Sequence, residues 1–197
     1  MLDRVARRLV DPALDRLAAG LARRRVKANA VTLAGFGCGL VAMILVAAQA
    51  YLPALAALLL NRLADGLDGA LARRGRPTDL GGYLDIVLDF IFYAGFVFAF
   101  ALADPARGLA AAFLIFAFVG TGTSFLAFAI FQAKRGGSAG GKAFHYLGGL
   151  TEGSETILFF AVLCLFPAAF APAAWVFGTL CWLTTLGRLM TAVDRLH

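Results

Sequence analysis

Apolar side chains in this chain fall into six long runs, roughly residues 30–50, 52–72, 83–103, 108–132, 151–170 and 172–193, parted by short stretches bearing Pro, Gly or charge. Each run is close to the ~20 residues that an α-helix needs to cross the ~30 Å hydrocarbon layer of a bilayer. Residues 2–21 obey a different rule. Leu2, Val5, Leu9, Ala13, Leu17 and Leu21 recur at steps of three or four, with Arg4, Arg7, Arg8, Asp11, Asp15 and Arg16 between them. This is the pattern of a helix lying in the headgroup plane with one apolar stripe. Charges interleaved in this way do not make the continuous apolar core of a cleavable signal peptide. Arg23, Arg24, Arg25 and Lys27 come directly after and suit anionic lipid headgroups. The pattern predicts an all-α polytopic membrane protein, with an amphipathic interfacial helix and basic run over 1–27 and a six-helix transmembrane domain over 28–197.

Composition adds a limit. With 61% apolar and 15% charged residues and a mean hydropathy of +0.81, the chain has no room for a sizeable soluble domain. The formal net charge of +6 is assigned to membrane lipids, and no nucleic-acid partner is expected. Cys38, Cys164 and Cys181 lie far apart in apolar surroundings, which indicates packing residues and not a disulfide framework or a metal cluster.

Lys and Arg also set the topology. Arg23 to Lys27, Arg73, Arg74, Arg76, Lys134, Arg135, Lys142 and Arg195 fall on one side of six spans, and only Arg107 falls on the other. The positive-inside bias then places both ends in the cytoplasm. Pro53, Pro105, Pro167 and Pro172 sit at or beside the external turns, where a missing amide donor costs least. The stretch KRGGSAGGK, Lys134 to Lys142, reads as the one long flexible loop.

Against this apolar background the acidic residues stand out. Asp65 and Asp68 lie three apart at the cytoplasmic end of the second run, and Asp85 and Asp89 lie four apart at the start of the third. Ionised groups at membrane depth are costly, and their default reading is functional. Residues three or four apart share a helix face, with Cβ atoms ~5–6 Å apart. The short link makes the two helices antiparallel neighbours, so all four carboxylates can converge. Packed together without partners they would repel and protonate, and one or two divalent cations would remove that penalty. All-oxygen ligands favour Mg²⁺, Mn²⁺ or Ca²⁺ over Zn²⁺, and paired ions of this kind recur in phosphoryl transfer. Gly69 and Ala72 offer a smooth surface for a nucleotide's ring or diphosphate, and Arg73 offers a fork of donors for phosphate oxygens.

The segment from Asp65 to Asp89 resembles the signature of the CDP-alcohol phosphotransferase (CDP-alcohol phosphatidyltransferase) family, D-x-x-D-G-x-x-A-R followed by G-x-x-x-D-x-x-x-D. Seven residues separate Arg73 from Gly81, one fewer than the commonest form, and every functional position is filled. NAVTL at Asn29 to Leu33 is similar to the family's entry to its first span. The resemblance implies that Asp65, Asp68 and Asp85 hold two divalent ions, Mg²⁺ or Mn²⁺. It places Asp89 at the edge of that shell as metal ligand and general base on the acceptor hydroxyl. It further implies that Asp65, Gly69, Ala72, Arg73, Gly81, Asn29 and Thr32 contact the CDP moiety, and that the products are CMP and a new phosphodiester. A homodimer in a bacterial inner membrane, with its active site facing the cytoplasm, is the form the family suggests.

For the acceptor, Lys142, Arg188 and the chain's two glutamates, Glu152 and Glu155, are the candidates. Lys134, Arg135 and His145 add positive charge nearby, and Tyr146 can line the same site. Arg188 interrupts an otherwise apolar stretch, CWLTTLGRLM, and either snorkels to the interface or binds a phosphate. A basic pocket suits glycerol 3-phosphate or inositol phosphate as acceptor and CDP-diacylglycerol as donor, in phospholipid biosynthesis. The stretch GGLTEGSETI resembles a bacterial branch of the family without naming its acceptor. A CDP-aminoalcohol donor with a lipid acceptor is an alternative, and a cation transporter is the rival from another class.

Overall fold

The computed structural model describes residues 2–75, 77–135 and 151–196, with side chains from residue 11 onward. Among these residues the fold is all-helical. An N-terminal helix α1 (Leu2–Arg23) precedes α2 (Ala28–Ala47), α3 (Tyr51–Arg74), α4 (Asp79–Ala103), α5 (Gly108–Lys134), α6 (Gly153–Leu165) and α7 (Phe170–Leu196). The six helices after α1 match the six apolar runs in order. Three-residue 3₁₀ turns, Pro105–Arg107 and Pro167–Ala169, lead into α5 and α7, each with the proline where its lost N–H would be unsatisfied anyway.

Two boundaries differ from the sequence pattern. The third run begins helix at Asp79 and not near 83, because the Thr78 hydroxyl accepts the Gly81 amide at 3.1 Å and caps a polar first turn. Asp85 and Asp89 therefore lie in the second and third turns of α4. The fifth run, expected over 151–170, is helical only to Leu165 before Pro167 enforces the tighter turn. Its 13 residues span only ~20 Å. By length and composition, four stretches qualify to cross a membrane: Ala28–Ala47, Asp79–Ala103, Pro105–Lys134 and Pro167–Leu196. Helix α3 carries Arg62, Asp65, Asp68, Arg73 and Arg74, and α6 is short, so these two fall outside that set.

The helices pack through small residues on one side and aromatic rings on the other. Gly35 of α2 meets α3 so closely that a Cβ there would sit 2.7 Å from Ala64 Cβ, the close backbone approach that small residues allow in membranes. At the far end, Gln49 takes a left-handed φ of 60° and its Nε2 donates to the Ala103 carbonyl at 2.8 Å, tying the α2–α3 turn to the end of α4. A phenylalanine core joins α4, α6 and α7, with Phe96 stacked on Phe160 and Phe100 on Phe170, both pairs 4.6 Å apart. Large apolar side chains such as Ile44, Leu52 and Leu109 point outward, as a lipid-facing surface requires.

Helix α1 departs from the single stripe. Leu14 and Ala18 are buried against Ala70 and Leu67 of α3, and Gly66 leaves the hollow that receives Leu14. Ala13 and Leu17, on the predicted stripe, are exposed. Among the described side chains of this helix, one apolar row is seated on α3 and the other is exposed.

These contacts predict that Gly35→Val, which forces a side chain into the α2–α3 contact, lowers the melting temperature in detergent, overpacking of this kind costing about 1–3 kcal/mol. Gly37→Ala is the control, since nothing lies within 4 Å of a Cβ there. Equal melting temperatures for the two variants would refute the close contact.

Candidate functional site

Residues at the α1–α2 link and the facing ends of α2, α3 and α4 enclose a cavity of about 580 Å³, within the ~300–1,000 Å³ usual for small-molecule sites. Asn29 and Thr32 come from α2, Asp68, Gly69 and Ala72 from α3, and Gly81, Gly82 and Asp85 from α4. A Cβ on Gly81 would come within 3.1 Å of Asn29 Oδ1 and Thr78 Oγ1, so a larger residue there would press on both side chains. Arg25, Lys27 and Arg74 add positive charge to the lining. Arg25 holds a left-handed φ of 58°, a conformation uncommon for a residue with a Cβ, in the tight link between α1 and α2.

A smaller space of about 20 Å³ adjoins it, bordered by all four aspartates together with Arg62, Asn61, Thr32 and Phe92. The two spaces share Thr32, Asp68 and Asp85. Asp68 is 6% exposed, and its Oδ2 is buried without a hydrogen-bond partner among the described residues. Asp65 and Asp89 are engaged: Arg62 Nη2 donates to Asp89 Oδ1 at 2.9 Å, and Nη1 lies 3.7 Å from Asp65 Oδ2.

A third cavity, about 130 Å³, lies between α4, α5, α6 and α7. Arg188 Nη1 donates to the Thr121 carbonyl at 2.8 Å, and its guanidinium sits 5.5 Å above the Phe125 ring. Glu152, at the start of α6, lines this cavity with Tyr93, Thr121 and Thr151, and Thr151 is hydrogen-bonded to Thr184 at 3.1 Å. Arg188 is thus engaged inside the bundle by Thr121 and Phe125.

The predicted residues divide accordingly. Asn29, Thr32, Gly69, Ala72 and Gly81 line the large cavity, whereas Asp65 borders only the small one. Arg73 is exposed and folds back beside Gly69, with Nη1 3.4 Å from where a Cβ there would be. Glu155 is half-buried in the first turn of α6 and is absent from the lining around Arg188. Arg135 is committed to the end of α7, donating to the carbonyls of Arg195, at 2.9 Å, and Leu196. Lys142, His145 and Tyr146 lie outside the described residues, as does Arg76. Sequence reasoning missed Arg62 and Asn61, although an arginine three residues before Asp65 in an apolar run, LLLNRLAD, is itself a signal. Arg25 and Lys27, which the sequence assigns to lipid headgroups, also line the large cavity.

A family profile described as CDP-alcohol phosphatidyltransferase matches residues 25–189. The chain is 52% identical over 193 residues to the inner membrane protein YnjF of Escherichia coli K12, covering 96% of this chain and 94% of that one. It is 29% identical over 198 residues to the archaetidylinositol phosphate synthase of Pyrococcus horikoshii, covering 100% and 99% of the two chains. Its fold is similar, with a TM-score of 0.62 and 24% identity, to the Mycobacterium tuberculosis phosphatidylinositol phosphate synthase PgsA1 solved with CDP-DAG bound, covering 93% and 92% of the two chains.

Members of this family generally depend on a divalent metal, and the donor set here fits one. The groups that would hold it are all carboxylates, whose oxygens suit a hard ion, and the buried Asp68 Oδ2 has no hydrogen-bond partner among the described residues. As they stand, no three such side chains among the described residues are close enough together to hold an ion, and the guanidinium of Arg62 occupies ground between Asp65 and Asp89.

A buried carboxylate oxygen left in this condition costs stability. Without divalent cations, Asp68→Asn, which takes one negative charge out of a pocket bordered by three other carboxylates, is expected to raise the melting temperature in detergent. Added Mn²⁺ should raise the melting temperature of the wild type and leave that of the variant unmoved. A wild-type melting temperature indifferent to Mn²⁺ would remove the cation from this site.

Proposed function

The chain belongs to the CDP-alcohol phosphatidyltransferase family, and on that premise we propose that it moves the phosphatidyl group of CDP-diacylglycerol to a small phosphorylated alcohol, glycerol 3-phosphate or inositol phosphate. It is a membrane enzyme that transfers substituted phosphate groups. The observation that carries the finer reading is the junction of two spaces. A cavity of nucleotide size shares Thr32, Asp68 and Asp85 with a pocket bordered by four aspartates.

Asn29, Thr32, Gly69, Ala72 and Gly81 form the wall against which the CDP moiety packs, and Arg25, Lys27 and Arg74 draw its diphosphate to that end of the bundle. Mg²⁺ or Mn²⁺ held by Asp65, Asp68, Asp85 and Asp89 would neutralise diphosphate oxygens and make CMP a better leaving group. Asp89 takes the proton of the acceptor hydroxyl. The acceptor oxygen then bonds to the phosphorus that carries the diacylglycerol, the bond from that phosphorus to the CMP oxygen breaks, and its electron pair leaves with CMP.

The acceptor's phosphate is assigned to Arg188 and its hydroxyls to Glu152, Thr121 and Thr151, in the cavity behind Tyr93. Lys142 and Glu155 remain candidates for the same pocket. This assignment is supported by a guanidinium and several hydroxyls facing one space. One observation favours a second reading, a CDP-aminoalcohol chemistry: the Glu152 carboxylate on the same cavity could receive an amine. Active-site placement at the cytoplasmic face rests on the Lys and Arg bias, and a homodimer rests on the family's habit. The cation-carrier reading gives way to the family assignment.

An acceptor screen decides between substrates. Purified protein with labelled CDP-diacylglycerol and Mn²⁺ is expected to release CMP with glycerol 3-phosphate or inositol phosphate, and not with inositol, serine or choline. Release with an unphosphorylated alcohol alone would overturn the proposed acceptor class. Asp89→Asn should lower turnover by on the order of 10²–10⁴ while sparing CDP-diacylglycerol binding, and near-normal turnover would displace the base. Arg188→Ala should raise KM for a phosphorylated acceptor by one or two orders of magnitude, about 1.4–3 kcal/mol. An unchanged KM would return Arg188 to a packing role.

A further inference from the structure

Arg62 lies in the middle of the acidic cluster, yet no step of the transfer uses it. It sits one turn ahead of Asp65 on α3 and is held on several sides. Nη2 donates to Asp89 Oδ1 at 2.9 Å, Nη1 lies 3.7 Å from Asp65 Oδ2, and Nε donates to Asn61 Oδ1 at 2.8 Å. Asn61 is itself anchored, its Nδ2 donating to the Gly35 carbonyl at 2.8 Å. The guanidinium carbon stands 5.1 Å above the Phe92 ring, and the side chain is 16% exposed. A cation tethered in this way is a fixed part of the site.

It engages one carboxylate from each helix. Asp65 comes from α3 and Asp89 from α4, and the two aspartates left over, Asp68 and Asp85, are those that face the nucleotide-sized cavity. The space enclosed by all four is about 20 Å³, room for roughly one water-sized body. The guanidinium occupies ground between Asp65 and Asp89 that the second of a pair of divalent ions ~3.5–4 Å apart would use, and a fixed positive charge also repels a cation beside it.

We infer that Arg62 is a resident cation that competes with a second divalent ion for Asp65 and Asp89. The resting chain accordingly takes one such ion, and takes the other only once an anionic diphosphate is in place. The inference rests on the donor-and-cation reading above. A bound diphosphate adds negative charge and oxygen ligands of its own, which offset the repulsion from Arg62. Binding of donor and second ion is thereby coupled, and an enzyme without donor keeps its base carboxylate neutralised and oriented by the guanidinium.

The test is a Mn²⁺ titration of the full chain in detergent, monitored by electron paramagnetic resonance, with and without CDP-diacylglycerol and with no acceptor. Wild type should bind one Mn²⁺ per chain without donor and a second on the order of tenfold or more weaker, the difference closing when donor is added. Arg62→Met should bind two of similar affinity without donor. Arg62→Lys, which keeps the charge, should preserve the wild-type difference. Two equal sites in the donor-free wild type, or a wild-type difference retained in Arg62→Met, would overturn the inference. If Arg62→Met fails to give a monodisperse protein, Arg62→Gln, which also removes the charge, takes its place, and a wild-type difference retained there would equally overturn the inference. No Mn²⁺ bound under either condition would instead overturn the donor-and-cation reading, so the two failures carry different signatures.

Discussion

Four carboxylates must be kept together at one end of an apolar bundle, and this electrostatic burden shapes the structure around it. Its cost is lowered by an arginine on α3, by an asparagine that fixes the arginine, and by a glycine whose carbonyl fixes the asparagine. That chain of contacts, from Gly35 through Asn61 and Arg62 to Asp89, runs across three helices. It works only because α2 and α3 approach closely enough at Gly35 and Ala64 for a side-chain amide to reach a backbone carbonyl. Packing and charge are here one constraint, since a bulkier residue at the crossing would separate the very groups that make the acidic pocket tolerable.

The division of space is a product of helix geometry. Asp68 and Asp85 turn toward the cavity at the α1–α2 link, and Tyr93, one turn beyond Asp89 on α4, turns toward the cavity that holds Arg188. A single helix, α4, thus lies between a donor-sized space and a smaller polar one, with the aspartates at the boundary. On the proposed function, donor and acceptor would reach the aspartates from these two sides of α4, and a displacement at phosphorus needs such separate approaches.

Much of this was readable in the amino-acid order, for identifiable reasons. Six apolar runs gave six helices because bilayer-length hydrophobic periodicity has few other solutions. The aspartate spacing placed the carboxylates because three and four are helical neighbours. What escaped was decided by local chemistry or by contacts distant in the chain. The start of α4 depends on one threonine hydroxyl, the shortness of α6 on Pro167, and the role of Arg62 on Asn61 and on a carbonyl 26 positions away. The cavity lining by Arg25 and Lys27 depends on a left-handed residue that periodicity cannot register.

Helix α1 serves two masters. Its row of Leu14 and Ala18 is seated on α3, its row of Ala13 and Leu17 is turned outward, and the basic residues just past its end form part of the nucleotide-sized cavity. On the proposed function, adhesion to the lipid sheet and grip on the substrate share a single lever. On that reading, a substitution made in this helix for anchorage alone would also be felt at the wall of the cavity.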